Sequence, residues 1–337
     1  MTPSTFPDTP ARHRAVLATP PRALPPEQRP TPGPIAVLPR PKSRFVAAVE
    51  AAGGTVAPLG PDTRGVVWLS DHEAAGFAEM LAEHPAIEWV QLPWAGVDSF
   101  AEVLRSSDRE RLVWTSAKGA YAQPVAEHAL TLALALLRQL PERVRATSWG
   151  EKAGASLYGR HVVIVGAGGI ALELLRLLQP FGVTSTVVRR TDDPVPGADR
   201  TVSSDRLLEV LPDADVVVLA AASTPDTARM LCAGEFAAMK SSAVLVNVAR
   251  GRLVDTDALV EALRTGGIAG AGLDVTDPEP LPDGHPLWDE PTAIITPHSA
   301  DTPEMTAPLL AERVRQNVTA FLGTGEFAGI VDPTAGY

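Results

Sequence analysis

Residues 160–191 read RHVVIVGAGGIALELLRLLQPFGVTSTVVRRT. Four apolar residues, Val162 to Val165, run directly into Gly166-Ala167-Gly168-Gly169-Ile170-Ala171, a match to G-x-G-x-x-G/A. Apolar residues at helical spacing follow, and a second apolar run ends at Val188. Strand, glycine turn and helix in that order form the phosphate-binding turn of a dinucleotide fold. Gly166 permits the tight turn, Gly168 lets backbone approach a pyrophosphate, and free N–H groups at the helix start meet its charge together with the helix dipole. Ala171 is the permitted variant at the packing position. About 20 residues past such a turn an acid commonly hydrogen-bonds the ribose 2′-hydroxyl. This chain has Arg189 there, followed by Arg190 and Thr191. An acid repels a 2′-phosphate, whereas a guanidinium accepts one through bidentate charge-assisted hydrogen bonds. The reading predicts NADP(H) as the preferred cofactor, with NAD(H) possible.

Working outward, HVVIVG (161–166), STVV (185–188), DVVVLA (215–220), AVLVNV (243–248), GAGLDV (270–275) and TAIITP (292–297) are short apolar runs separated by helical segments. Buried parallel strands look like this, so six strands are expected. Upstream, IAVLP (35–39), VVWLS (66–70), IEWVQLP (87–93) and RLVWTS (111–116) alternate with helical patterns such as RFVAAVEAAGG (44–54). The fold class is therefore α/β, with two doubly wound parallel-sheet domains. One long helix is expected over 122–146, apolar on more than one face, and a last helix over 303–325 returns the chain to the first domain. Nine prolines in residues 1–33 leave little to bury, which predicts a proline-rich tail or loose arm. The domains are then 34–122 with 302–337, and 123–301.

The formal net charge of −11 supplies no basic stripe for nucleic acid or an anionic membrane. A single cysteine, Cys232, excludes an internal disulfide framework, and no Cys/His spacing suggests zinc, so no metal is expected. The longest apolar run, Ala129–Leu137, is far short of the roughly 20 residues of a membrane span. The N-terminus offers only AVLA as an export core. A cytoplasmic protein is expected.

Three polar positions follow or end strands of the second sheet: Arg250, Asp274 with Glu279 just beyond it, and His298. In a doubly wound sheet ligands bind beyond the carboxyl ends of the strands, which puts these side chains along one edge with the glycine turn. A cation to hold a carboxylate, an imidazole to protonate an oxygen and a carboxylate to orient the imidazole suit reversible hydride transfer to a carbonyl. Taken singly, each has a plain reading as a cap, a surface arginine or a turn; the combination behind a nucleotide fold favours chemistry.

The chain resembles the D-isomer-specific 2-hydroxyacid dehydrogenases, the family of glyoxylate and hydroxypyruvate reductases and D-lactate dehydrogenases. The likeness spans Pro34 to about Asp332 and rests on QLPWAGVD (91–98), VAEHAL (125–130), GAGGIA (166–171), TPDT (224–227), NVARGRLVDTDAL (247–259), GAGLDV (270–275), EPLPDGHPLW (279–288) and TPH (296–298). It implies a Rossmann-type nucleotide-binding domain inserted into a flavodoxin-like substrate-binding domain. By resemblance Arg250 binds the substrate's carboxylate and carbonyl, His298 is the acid/base and Glu279 its carboxylate partner. Ala95 and Gly96 offer backbone amides to the carboxylate from the other domain, the substrate lying in the cleft between. Gly168, Gly169 and Ile170 contact the pyrophosphate, Val248 and Ala249 the nicotinamide ribose region, and Asp274 the carboxamide side; Ala222 and Thr227 complete the cofactor set. The family's homodimer uses the helical stretch near 122–145, so a homodimer is implied. The implied substrate is a small 2-oxoacid or D-2-hydroxyacid of the glyoxylate, hydroxypyruvate or pyruvate type.

The sequence departs from the family at Ala222-Ser223, where a proline is usual, and after His298, where TPHSADTPEM lacks a common glycine. His128 reads as structural, His285 as a turn residue, and Trp94 and Trp288 as shaping either specificity or the core. Relatives that act as nucleotide-sensing transcriptional corepressors keep the same three residues and supply the alternative reading, an interaction protein of the same fold. The phosphoglycerate branch, which carries an extra regulatory domain, fits this chain less well.

Overall fold

The computed structural model describes residues 13–70, 74–106 and 112–333. Its strands, in chain order, are β1 (Arg22–Ala23), β2 (Ile35–Leu38), β3 (Gly65–Trp68), β4 (Trp89–Gln91), β5 (Val113–Thr115), β6 (His161–Val165), β7 (Thr184–Arg189), β8 (Arg200–Ser203), β9 (Val216–Leu219), β10 (Val244–Asn247), β11 (Gly270–Leu273), β12 (Ala293–Ile295) and β13 (Glu326–Phe327). The chain forms two compact units, Thr19–Tyr121 with the described residues from Asp301 onward, and Ala122–Ala300 with Val16–Ala18. Each expected crossover, at 122/123 and 301/302, moves by one residue.

In the first unit β2, β3, β4 and β5 are neighbours in that order and all parallel. A parallel bridge between Ile35 and Val56 on the free side of β2 makes the order 2-1-3-4-5, the flavodoxin-like winding, with its second strand reduced to one residue. The core between sheet and helices is aromatic. Phe77, from helix Ala74–Glu83, packs its ring 4.8 Å from Trp68, 5.4 Å from Phe100 and 5.9 Å from Trp114. Edge and tilted contacts of this kind add about 0.5–1.5 kcal/mol per pair beyond area burial.

The expected loose arm over residues 1–33 is corrected where it is described. Arg22 and Ala23 pair antiparallel with Phe327 and Glu326, Leu24 N–H donates to Gly325 O at 2.9 Å, and Arg29 Nε donates to Leu24 O at 3.0 Å. Leu24 is thereby buried at 7% exposure. The pairing joins segments about three hundred residues apart in sequence, so no local periodicity announces it. Residues 1–12 of that arm lie outside the described residues.

The second unit carries seven parallel strands in the order β12-β11-β10-β9-β6-β7-β8. Strand order reverses between β6 and β9, so the turn after β6 sits at the switch point where open α/β sheets bind ligands. Six strands were expected; β8, RTVS, is the seventh, and as a short polar edge strand it lacks the apolar run that marks the others. Alternate strand residues face opposite layers. Val163, Val217 and Leu245 pack with Leu207, Leu211, Phe236, Leu259 and Leu263 on one face, while Val162, Val216 and Val218 meet Ala129, Ala133, Leu174 and Leu178 on the other. Each fully buried Val or Leu stabilises by about 1.5–3 kcal/mol relative to exposure.

The helix expected over 122–146 is two: Ala122–Leu137 and Leu140–Arg145. Gln139 turns left-handed, φ 54°, and Pro141, which has no N–H to continue the first helix, starts the second. The last helix, Pro303–Thr319, widens into a π turn over Ala320–Thr324. No helix of the described residues is long and apolar enough to cross a membrane.

Candidate active site

The glycine turn leaves β6 under tight steric demand. Gly166 has φ 111°, and a Cβ there would stand 2.5 Å from Ala220 O in the loop after β9. Gly168 caps the helix Gly169–Leu178 with no side-chain cap, and a Cβ on it would meet nothing within 4 Å. That open direction at an uncapped helix start fits a diphosphate, whose charge the first-turn amides and the helix dipole favour. Gly166 N–H donates to Val188 O at 2.7 Å, so the turn lies against the end of β7, one residue before Arg189. The expected neighbourhood of Gly166, Gly168, Gly169, Ile170 and Arg189 is thus assembled. Arg190 and Thr191 are exposed beyond it. Arg189 Nη1 donates to Asp193 O at 3.4 Å and Thr191 Oγ1 to Asp193 Oδ2 at 2.7 Å, which ties this loop to itself.

Arg250, Glu279 and His298 come from the segments that follow β10, β11 and β12, adjacent strands of one parallel sheet. His298 Nδ1 lies 2.6 Å from Glu279 Oε1. The hydrogen bond to Glu279 and its charge hold the imidazole above the ordinary histidine range, against burial and the nearby Arg250 cation. Reciprocally, the His298 hydrogen bond holds the Glu279 carboxyl below the usual range, with Arg250 adding in the same direction. The guanidinium therefore acts electrostatically on both partners. With Nδ1 engaged, Nε2 is the nitrogen free to exchange a proton with a ligand. Half of the His298 side chain is open to solvent, at 48%.

Asn247, at the end of β10, shapes the segment carrying Arg250: its Nδ2 donates to Arg250 O at 2.9 Å and its Oδ1 accepts from Ala249 N–H at 3.0 Å. Sequence reasoning passed over Asn247, although a lone amide ending an apolar strand is a signal. Val248 and Ala249, expected at the nicotinamide ribose, are buried in the same segment. Thr256 Oγ1 donates to Asp277 O at 2.6 Å and so ties the segments after β10 and β11 together.

Asp274 is only 2% exposed. Its Oδ1 accepts from Thr296 Oγ1 at 2.6 Å and Ser299 N–H at 2.9 Å, its Oδ2 from Ala300 N–H at 3.0 Å, and its carbonyl from His298 N–H at 2.8 Å. Expected at the carboxamide, Asp274 is first of all the organiser of the 296–300 loop. His298 itself is left-handed, φ 50°; a non-glycine residue there carries strain of about 1–3 kcal/mol, which only an over-determined surrounding maintains.

The sequence profile of the D-isomer-specific 2-hydroxyacid dehydrogenase NAD-binding domain matches residues 130–300. The chain belongs to that family. It is an NAD(P)-dependent 2-hydroxyacid dehydrogenase. An uncharacterized protein of Corynebacterium melassecola is 43% identical over 257 residues, 74% of this chain and 84% of its own. Glyoxylate reductase of Thermococcus gammatolerans is 33% identical over 230 residues, 65% of this chain and 69% of its own. A D-isomer-specific 2-hydroxyacid dehydrogenase of Xanthobacter autotrophicus Py2, solved with NADPH and MES, superimposes with a TM-score of 0.77 at 25% identity over 91% of this chain and 100% of that one.

In this dehydrogenase the remaining expected residues occupy two settings. Ala222 and Thr227 lie in the loop after β9, where Thr227 Oγ1 donates to Ala222 O at 2.8 Å and accepts from Thr224 N–H at 2.8 Å. The threonine's hydrogen bonds are spent inside its own turn, so its contribution is loop shape. Ala95 and Gly96 belong to the first unit, in the half-buried loop after β4. Tyr121 Oη pins that loop by donating to Pro93 O at 2.6 Å, and the Trp94 ring packs edge-on against Tyr121 at 6.0 Å. The buried Trp94 Nε1 has no hydrogen-bond partner among the described residues. His285 caps a short turn, its Nδ1 accepting from Leu287 N–H at 3.2 Å. Trp288 is half exposed, Nε1 donating to Pro282 O at 2.9 Å.

Proposed function

We propose that this dehydrogenase is an NADP(H)-preferring reductase of small 2-oxoacids of the glyoxylate, hydroxypyruvate or pyruvate type. The observation that carries the reading is the His298–Glu279 pair at 2.6 Å with the Arg250 guanidinium acting on both. Arg250 binds the substrate carboxylate and polarises the 2-oxo group. When bound, the nicotinamide supplies the hydride. His298, held protonated by Glu279, gives the proton on Nε2 to the carbonyl oxygen and takes it back in the oxidation direction; Glu279 stabilises the imidazolium without itself moving a proton. Gly168, Gly169 and Ile170 hold the diphosphate. Arg189 and Arg190 at the end of β7, where an acid would select NAD(H), support a 2′-phosphate and hence NADP(H). The NADPH-bound Xanthobacter relative and the Thermococcus glyoxylate reductase support the same reading.

The test is NADPH oxidation across a panel of 2-oxoacids. Turnover with glyoxylate or hydroxypyruvate is expected; a flat response to the whole panel would favour a nucleotide-sensing protein instead.

The protein acts as a homodimer in this reading. Leu140, Val144, Trp149 and Tyr158 are exposed at 47%, 78%, 98% and 67%. They fall between the helix Ala122–Leu137 and β6, and large apolar side chains left exposed along one segment support a protein contact there.

A further inference from the structure

We infer that His128 is a positioning residue for the acid/base, acting from the long helix through Thr296 and Asp274 on the loop that carries His298. The inference rests on the proposed reductase reading. His128 projects from helix Ala122–Leu137, and its Nε2 lies 3.0 Å from Thr296 Oγ1 and 3.5 Å from Asp274 Oδ1. A threonine hydroxyl has one proton. Here it goes to Asp274 Oδ1 at 2.6 Å, so Thr296 Oγ1 can only accept from His128, and the neutral imidazole carries its proton on Nε2. The chain of donors then runs one way, His128 to Thr296 to Asp274.

Asp274 is the point where this chain meets the site. The same oxygen, Oδ1, also accepts from Ser299 N–H, Oδ2 accepts from Ala300 N–H, and the Asp274 carbonyl accepts from His298 N–H. His298 sits between these anchors in a left-handed conformation that its surroundings must impose. With the His128 donor withdrawn, the Thr296 hydroxyl is held less firmly against Asp274 Oδ1, and the geometry that aims Nδ1 at Glu279 loses part of its support. The charged groups acting on His298 are Glu279, Arg250 and Asp274. His128 reaches it through Thr296, whose hydroxyl donates to Asp274 and whose carbonyl accepts from His298 N–H at 3.0 Å.

The experiment compares His128→Leu, which removes the donor, with His128→Gln, whose amide restores one at similar reach, and with Thr296→Val, which cuts the chain at its next link. Two readouts are taken: steady-state kinetics with NADPH and glyoxylate, and the titration of the His298 ring by NMR in the cofactor-free protein. Expected for His128→Leu are a kcat lower by up to about tenfold, the upper end for one hydrogen bond between neutral groups, an unchanged KM for NADPH, and a His298 titration midpoint shifted to lower pH. His128→Gln should recover most of both. His128→Leu and Thr296→Val together should do no more than either alone. Wild-type kcat and an unmoved His298 titration in a folded His128→Leu protein would overturn the inference, as would additive losses in the double variant. Should His128→Leu fail to fold, Thr296→Val and His128→Gln decide on the same two readouts. If the wild type reduced no 2-oxoacid, the reductase reading would fail while the NMR titration still decided the role of His128.

Discussion

His298 Nδ1 and Glu279 Oε1 stand 2.6 Å apart, a charge-assisted hydrogen bond that keeps the imidazole protonated above its ordinary range. Reduction consumes the proton on His298, so its rate holds as pH rises and falls only once pH passes through the raised pKa; oxidation has the opposite limb. Glu279→Gln keeps an acceptor and removes the charge, leaving burial and Arg250 to pull the pKa down. The alkaline limb of kcat/KM for reduction should therefore move to lower pH in Glu279→Gln. A limb that stays in place would show that Glu279 does not set the protonation of His298.

The two turn glycines predict opposite failures. Gly166→Ala forces a methyl to within 2.5 Å of the Ala220 carbonyl at φ 111°, and should cost on the order of 3 kcal/mol of stability. Gly168→Ala adds a methyl into open space at φ −81°, and should unfold like the wild type yet bind cofactor roughly tenfold more weakly, about 1.4 kcal/mol. Denaturation curves and a nucleotide titration separate the two; equal stability of Gly166→Ala with the wild type would contradict the steric account.

Arg189→Asp puts at the end of β7 the acid that commonly meets the ribose 2′-hydroxyl. The kcat/KM ratio of NADPH to NADH should fall by about 10- to 100-fold, the scale of hydrogen bonds to a charged group. An unchanged ratio would remove Arg189 from cofactor selection.

Trp149→Asp together with Val144→Asp puts charge on the exposed apolar segment after the long helix. Sedimentation is expected to report a dimer for the wild type and a monomer for this variant. A variant that sediments as the wild type does would move the contact elsewhere.

Much of this molecule was legible in the sequence because its strands are continuous apolar runs and its glycines sit where backbone demands them. VVIV before Gly166 and VVVL at β9 could hardly be anything but buried strands. What escaped was non-local or polar. β8, with exposed Arg200 at the sheet edge, has no apolar run to read. β1 exists only because residues 326–327 supply its partner. In the site, the residue types at Arg250, Glu279 and His298 announced themselves, whereas the tasks of Asp274, Asn247 and Thr296 depend on which backbone groups the loops bring to them. The break at Gln139 follows from Pro141, a signal that was present and outweighed by the length of the apolar stretch.

Arg250 and His298 are expected to perform one reduction together. The most direct measurement is the rate of NADPH oxidation with glyoxylate or hydroxypyruvate for the wild type, Arg250→Ala and His298→Asn. Expected are turnover by the wild type and a loss of roughly 10²–10³-fold in kcat/KM for each variant, the scale for removing one positioned group that meets transition-state charge. Variants as fast as the wild type would contradict that joint role.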